Sequence, residues 1–171
     1  MKKLLLLATP LLLAACSMGP RATATATLAS TSGSSAQGTV TFRELRDGRV
    51  EVDIALTGVP AGTHGFHLHD KGDCGDNGNA AGGHWNPNSM PHGAPTSTSR
   101  HAGDLGNVTA GADGAVHETK VVTGVTVTAG TNSVVGHAVI LHANADDLTT
   151  QPTGNAGARI ACGVVAGSMQ R

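Results

Sequence analysis

Aromatic residues are scarce in this 171-residue chain, which has two Phe, one Trp and no Tyr. Proteins that hold single-stranded nucleic acid usually stack its bases on aromatic side chains beside a basic groove. The chain offers neither the aromatics nor a basic run within its body. We therefore expect no nucleic-acid partner, and a core built from Val, Ile, Leu and Ala.

The chain also lacks an apolar run long enough to span a membrane. Its longest candidate, "LLLLATPLLL" at 4–13, is interrupted by Pro10, whereas a spanning helix needs about 20 residues. "MKK" before this run and "AAC" after it are typical of a secretory signal peptide over 1–15. The alternative, a membrane anchor helix, is disfavoured by the length.

"LAAC" at 13–16 is similar to a bacterial lipobox. That similarity implies cleavage before Cys16 and lipidation of its thiol; the alternative is an ordinary signal peptide. We expect a tether at 16–21, a single domain over 22–171, and a location in the periplasm or cell envelope. The membrane would then be a partner only through the lipid. Removal of Lys2 and Lys3 changes the net charge from −1 to −3.

Cysteine is rare too. Only Cys74 and Cys162 remain after Cys16, and no C-x-x-C spacing occurs. An exported chain passes into an oxidising compartment, which favours a disulfide between these two residues. Their use as metal ligands fits poorly without the paired spacing.

Period-two alternation of apolar residues is what the chain has in abundance. We expect strands at 22–28, 38–45, 49–59, 64–69, 104–110, 115–122, 133–143 and 158–166. Two irregular segments interrupt them, a Gly/Pro/Asn/His-rich one at 70–103 and a second at 143–157. The fold class predicted is all-β: an eight-stranded antiparallel Greek-key sandwich or flattened barrel with two long functional loops.

Nine histidines are the most informative residues. His67 and His69 are two apart in a strand and therefore share a face, with Phe66 and Leu68 on the other. His142 ends the apolar run "HAVILH" on its outward parity. We expect these three imidazoles to point to the same side, where they could bind a metal; the alternative is a solvated surface group.

The first long loop adds His84, His92, His101 and Asp104. Imidazoles with one carboxylate suit a tetrahedral Zn²⁺ site, and imidazoles alone suit Cu(II). The sequence thus offers two metal sites of different character. His137 and His117 are interpreted as structural and surface residues.

The segments "GFHLH", "GDC", "AGGHWNP", "HAGDLGNV", "ADDL" and "GNAGARIACGVV" together resemble the copper/zinc superoxide dismutase family in its bacterial exported form. The resemblance covers nearly all of 22–166 with order and spacing kept. It implies copper and zinc as cofactors and superoxide as the substrate. A copper-binding or copper-delivering lipoprotein on the same fold is the main alternative, and a zinc hydrolase is another.

The resemblance also implies roles for individual residues. It implies that copper is bound by His67, His69, His84 and His142. It implies that zinc is bound by His84, His92, His101 and Asp104, so that His84 bridges both ions. Further implied roles are an anion-binding Arg159 beside copper, Thr153 at the channel rim, Asp146 linking His67 to His92, and a disulfide between Cys74 and Cys162. His137 departs from the family, whose close bacterial members usually have Arg there. A homodimer is possible, with Trp85 either a buried loop anchor or a contact residue.

Overall fold

A computed structural model describes residues 19–167 of the chain. The predicted signal peptide and Cys16 lie outside the described residues, and both stay predictions. Within the described residues, no helix is both long and apolar enough to cross a bilayer.

The described chain is all-β, as predicted from the alternation. Its strands are β1 (Ala22–Ser30), β2 (Gln37–Glu44), β3 (Val50–Thr57), β4 (Gly62–His69), β5 (Asp104–Ala110), β6 (Val116–Val122), β7 (Ala138–His142) and β8 (Arg159–Gly167). The loop between β4 and β5 contains one short 3-10 helix, Asp76–Ala81.

All pairings between these strands are antiparallel. Along the sheet the strands follow the order β5-β4-β7-β8-β1-β2-β3-β6. The connections β3–β4 and β6–β7 cross between strands that are not neighbours, which is Greek-key topology. The predicted eight-stranded flattened barrel is therefore confirmed.

Side chains close the seam between β5 and β6, the two strands at the ends of this order. Glu118 accepts a hydrogen bond from the Thr109 N–H at 2.7 Å, and Lys120 donates to the Asn107 carbonyl at 2.6 Å. The open backbone groups of edge strands otherwise invite pairing with another chain. Charged side chains therefore complete the nearly closed barrel.

The β2–β3 hairpin shows how the local sequence sets the strands. Gly48 has φ +82° in the turn of this hairpin, where a residue without Cβ is favoured. Val50, Val52, Ile54 and Leu56 on β3 are all buried, as their alternation predicted. They belong to one core that also contains both Phe residues and Trp85.

The strand predicted at 133–143 is shorter in the structure, beginning only at Ala138. Gly136 has φ +89°, and the His137 N–H donates to the Val134 carbonyl in a turn. The alternation of "SVV" therefore reflects a buried Val134 in a loop rather than a paired strand.

A second, smaller core lies on the outer face of β7 and β8. Ala138 and Ile140 pack there with Ala81 of the first long loop and with Cys162, and Cys74 joins them at the edge. Val139 and Leu141 face the main core instead. This outer core lies beside the histidines of β4, since Ile140 pairs with His67 and Ala138 pairs with His69.

Candidate metal centre

Four histidines form the first group of converging side chains. His67 and His69 lie on β4 and His142 ends β7, and all three face away from the main core, as expected. His84 reaches them because it forms an isolated β-bridge with His69. The ligand atoms of the four rings lie within 4.8 Å of one another, and every ring is buried.

The second group centres on the Asp104 carboxylate at the start of β5. Its Oδ1 lies 2.8 Å from His84 Nδ1, 3.0 Å from His92 Nδ1 and 3.2 Å from His101 Nδ1. Its Oδ2 accepts hydrogen bonds from the N–H groups of Gly93 and His101. The two backbone bonds hold the carboxylate in place. The three imidazole nitrogens converge on its other oxygen, Oδ1, and so lie close to one another.

His84 belongs to both groups. Its Nδ1 faces Asp104 in the second group, and its Nε2 is buried without a hydrogen-bond partner on the side of the first group. The His67 and His84 ring centroids are 4.0 Å apart. One imidazole therefore offers a nitrogen to each group.

In two histidines of the first group, the ring nitrogen that points away from the group lies next to a backbone carbonyl. His69 Nδ1 lies 2.9 Å from the Gly82 carbonyl, and His142 Nδ1 lies 3.1 Å from the Gly157 carbonyl. A carbonyl can only accept, so these Nδ1 atoms carry the hydrogens and both Nε2 atoms present lone pairs. The two Nε2 atoms face each other at 3.3 Å. Such convergence of lone pairs favours a cation that both nitrogens can bind.

Buried atoms without partners agree with this reading. Four buried side-chain polar atoms among residues 19–167 have no hydrogen-bond partner, and three are His67 Nδ1, His84 Nε2 and His101 Nδ1. Each is a ring nitrogen directed into one of the two groups. Buried polar atoms rarely lack a hydrogen-bond partner in the protein unless they bind an ion or a water molecule. The residues present therefore fit a metal ion in each group.

The chemistry of the two donor sets differs. Burial lowers the pKa of His67 to about 4, of His69 to about 2 and of His142 to about 3, so these rings are neutral, ligating imidazoles at pH 7. Burial also acts to lower the pKa of His92, but hydrogen bonds and charge from Asp104 and Asp146 raise it overall. An all-imidazole set suits copper, and a set with three imidazoles and a carboxylate suits zinc.

Asp146 links the two groups from outside. Its Oδ2 lies 2.8 Å from His67 Nε2, and its Oδ1 lies 3.0 Å from His92 Nε2. Burial would raise the pKa of this carboxyl, but its hydrogen bonds to His67, Leu148 and His92 hold it below its usual value. An ionised Asp146 can therefore accept from both rings and fix which nitrogen of each faces a metal.

Arg159 lies at the start of β8, paired with His142 across the sheet. Its guanidinium donates to the Gly78 carbonyl at 2.5 Å and to the Gly82 carbonyl at 2.6 Å. Burial mainly sets the low pKa values of His69 and His142, and the Arg159 charge lowers both further. The structure thus places a fixed positive charge beside the four-histidine group.

Cys74 and Cys162 form a disulfide in the structure. The bond attaches the first long loop to β8, the strand that carries Arg159, and the Gly78 and Gly82 carbonyls lie in the loop it secures. Thr153 is half-buried in the second long loop.

Several residues that hold the groups were not found from the sequence. His64 is buried and lies within hydrogen-bond distance of the His142 and Pro60 carbonyls. The Asn107 side-chain amide accepts a hydrogen bond from the Asp146 N–H and donates one to the Asp146 carbonyl. Gln151 does the same for His92. A single Asn on β5 and a single Gln in a loop carry no signal of these contacts in the sequence, so only the structure reveals them.

Two residues named from the sequence have other places in the structure. Trp85 is 3 % exposed and stacks on His137 with ring centroids 4.2 Å apart, so it is a buried anchor of the loop. His137 lies within hydrogen-bond distance of the Asp70 carbonyl through Nδ1, in line with its predicted structural role. His117 is exposed on β6. The homodimer stays a prediction.

The antiparallel Greek-key barrel thus carries a four-histidine group and a three-histidine-and-aspartate group that share one imidazole, and each group could hold a metal ion. A family profile described as copper/zinc superoxide dismutase matches residues 36–165. Because the match covers most of the chain, the chain belongs to the copper/zinc superoxide dismutase family, and the family implies copper and zinc.

The chain is also similar to a solved structure described as the clock protein EA4. The two sequences are 38 % identical, the alignment covers 87 % of this chain and 96 % of that chain, and the TM-score is 0.76. Members of one fold host different functions, so activity has to be argued from the site.

Proposed function

We propose that this protein is a superoxide dismutase, which converts two superoxide anions and two protons into dioxygen and hydrogen peroxide. Copper would be held by His67, His69, His84 and His142. Zinc would be held by His84, His92, His101 and Asp104. The observation that carries the proposal is the placement of His84, whose two ring nitrogens serve the two donor groups.

Copper in the four-histidine group would supply the one-electron exchange that dismutation needs. Zinc has no accessible second oxidation state, and its group already offers four protein ligands. No position is then left for the water that a zinc hydrolase activates. The zinc group therefore fits a structural role, and the hydrolase alternative is disfavoured.

Arg159 is proposed to bind the superoxide anion. Its guanidinium stays protonated at any physiological pH, and two loop carbonyls hold it in place. Each carbonyl takes one N–H group of a donor that has five, so others remain to bind an anion. Thr153 is proposed to line the opposite rim of the same approach.

His84 is proposed to deliver a proton. Its Nε2 is the ring atom on the copper side, and its Nδ1 is held at Asp104. Whenever Nε2 is not a metal ligand it can carry a proton, while the Nδ1 side keeps the ring in position. Product peroxide needs two protons, and this nitrogen is a fixed source for one of them.

Export is part of the proposal. We propose cleavage before Cys16, lipidation of its thiol, and a location in the periplasm or cell envelope. The Cys74–Cys162 disulfide supports an oxidising compartment. Mass spectrometry of the membrane fraction tests the lipid, since an unmodified Cys16 or an intact leader would contradict it.

The enzyme and the copper-carrier alternative are separated by one experiment. Purified protein is prepared metal-free, with zinc alone, and with both copper and zinc, and the decay of superoxide is followed for each. A dismutase accelerates the decay only when copper is present. A carrier binds copper and passes it to a chelator-type acceptor without accelerating the decay, and that result would overturn the proposal.

A further inference from the structure

We propose that Gln151 is a positioning residue for the zinc ligand His92, so that zinc retention depends on docking of the 143–157 loop. The proposal rests on the proposed zinc site. The Gln151 side chain would act through the His92 backbone, without contact with the ion.

The Gln151 amide pairs with both backbone polar groups of His92. The His92 N–H donates to Gln151 Oε1 at 2.8 Å, and Gln151 Nε2 donates to the His92 carbonyl at 2.9 Å. The second hydrogen of Nε2 reaches the Thr149 carbonyl at 3.3 Å. Every polar atom of this side chain is therefore engaged, although Gln151 is exposed and belongs to a loop.

His92 needs such support more than the other zinc ligands do. His84 pairs with His69 in a β-bridge, and Asp104 begins β5. His101 is tied to Asp104 because its N–H donates to the carboxylate. His92 lies in a stretch without regular structure, and the partners of its N–H and C=O are both on Gln151.

The same loop holds the His92 ring from the other side. Asp146 Oδ1 lies 3.0 Å from Nε2. Gly154 packs directly on that contact. Any side chain at this position would place its Cβ 2.8 Å from His92 Nε2, so only glycine fits. The 143–157 loop thus supplies a backbone clamp, a ring contact and a covering glycine to one ligand.

The loop that carries Gln151 is itself closed. The Gly154 N–H donates to the Thr150 carbonyl, the Asp147 N–H donates to the Gly154 carbonyl, and the Asp147 carboxylate accepts from Thr149 and Thr150. These bonds fix the geometry of the loop around Gln151. When it docks, His92 is held in the ligating position, and zinc bound to His92 in turn holds the loop.

The test replaces Gln151 with Met, which keeps the length of the side chain and removes both hydrogen bonds to His92. The dissociation constant for Zn²⁺ is measured by competition with a chromophoric chelator, on the mature, disulfide-bonded, copper-free protein. Loss of a contact that orients a ligand typically weakens metal binding 10–100-fold, and we expect about tenfold here. Gln151→Glu should also weaken zinc, because an oxygen replaces the donor to the His92 carbonyl.

Gln37→Met is the matched control, since Gln37 is exposed at the start of β2, far along the chain from both loops. It should leave the zinc constant unchanged. Hydrogen exchange supplies a second readout: Zn²⁺ should slow amide exchange over 147–154 in the wild type and much less in Gln151→Met.

The outcomes separate this proposal from the one it rests on. A wild type that binds no Zn²⁺ refutes the zinc site itself. A wild type that binds Zn²⁺ while Gln151→Met binds equally well refutes the positioning role alone. A purely structural role would lower the unfolding midpoint of the metal-free variant without changing its zinc constant, and that result also refutes the proposal.

Discussion

Replacement of Arg159 tests the proposed anion site by charge and by shape. Arg159→Lys keeps the charge but loses the planar fork that reaches the Gly78 and Gly82 carbonyls. Arg159→Ala removes the charge, and Arg159→Glu reverses it. The three variants should therefore lose activity in that order, with only a small loss for Lys.

The size of the effect follows from the environment of the guanidinium. Unit charges 4 Å apart interact with about 1 kcal/mol in water and about 4 kcal/mol at an effective dielectric constant of 20. Arg159 is half-buried, and superoxide arrives from solvent, so the lower part of this range applies. We expect Arg159→Ala to slow turnover about tenfold, equivalent to about 1.4 kcal/mol. Arg159→Glu should lose more, because it repels the substrate.

The assay is superoxide decay at several salt concentrations, with copper and zinc content matched across the variants. Steering by exposed charge is screened over about 10 Å at 0.1 M salt. The wild-type rate should fall as salt rises, and that of Arg159→Glu should stay flat or rise. Fully metallated Ala and Glu variants that equal the wild type at low salt would remove Arg159 from the mechanism.

Three further predictions concern the bridge, the disulfide and a buried carboxylate. His84→Ala should keep the fold but change the copper(II) visible and EPR spectra, because only this imidazole faces both groups; unchanged spectra would refute the bridge. Reduction of Cys74–Cys162 should lower the free energy of unfolding by up to about 5 kcal/mol, since the bond closes a loop with a sequence separation of 88 residues. Denaturation with and without reductant measures this, and two reactive thiols in the native protein would contradict it. Burial alone would raise the pKa of Glu44, but hydrogen bonds from Thr128 and Val127 lower it below its ordinary value of 4.5. The stability that the ionised group contributes is complete above pH 4.5 and is lost as the pH falls through the folded-state pKa. Glu44→Gln should therefore destabilise the metal-free protein at pH 7 by about 1–3 kcal/mol, and by less near pH 3; an equal difference at both pH values would contradict this.

The strands and the ligand faces could be predicted from the sequence because both depend on a period of two. Val50 to Leu56 alternate along β3, and His67 and His69 share a face by the same rule. His142 followed from the parity of β7. In each case a single strand contains the pattern, so no knowledge of the tertiary structure was needed.

The contacts that the second long loop makes with β5 and with the first long loop could not be predicted in this way. Asn107 and Gln151 reach the backbones of Asp146 and His92 across 39 and 59 residues. Gly154 has φ +68° and covers a contact between two other residues. These contacts depend on how irregular segments fold onto the barrel and onto each other, which neither residue type nor spacing encodes.

Copper-dependent superoxide decay is the most direct test of the central claim. Zinc-loaded, copper-free protein is titrated with Cu(II), and the rate of superoxide decay is measured after each addition and removal of unbound metal. We predict that the rate rises linearly and reaches a plateau at about one copper per chain, since the chain has one four-histidine group among its described residues. A protein that takes up one copper per chain with no rise in the rate would contradict the proposed activity.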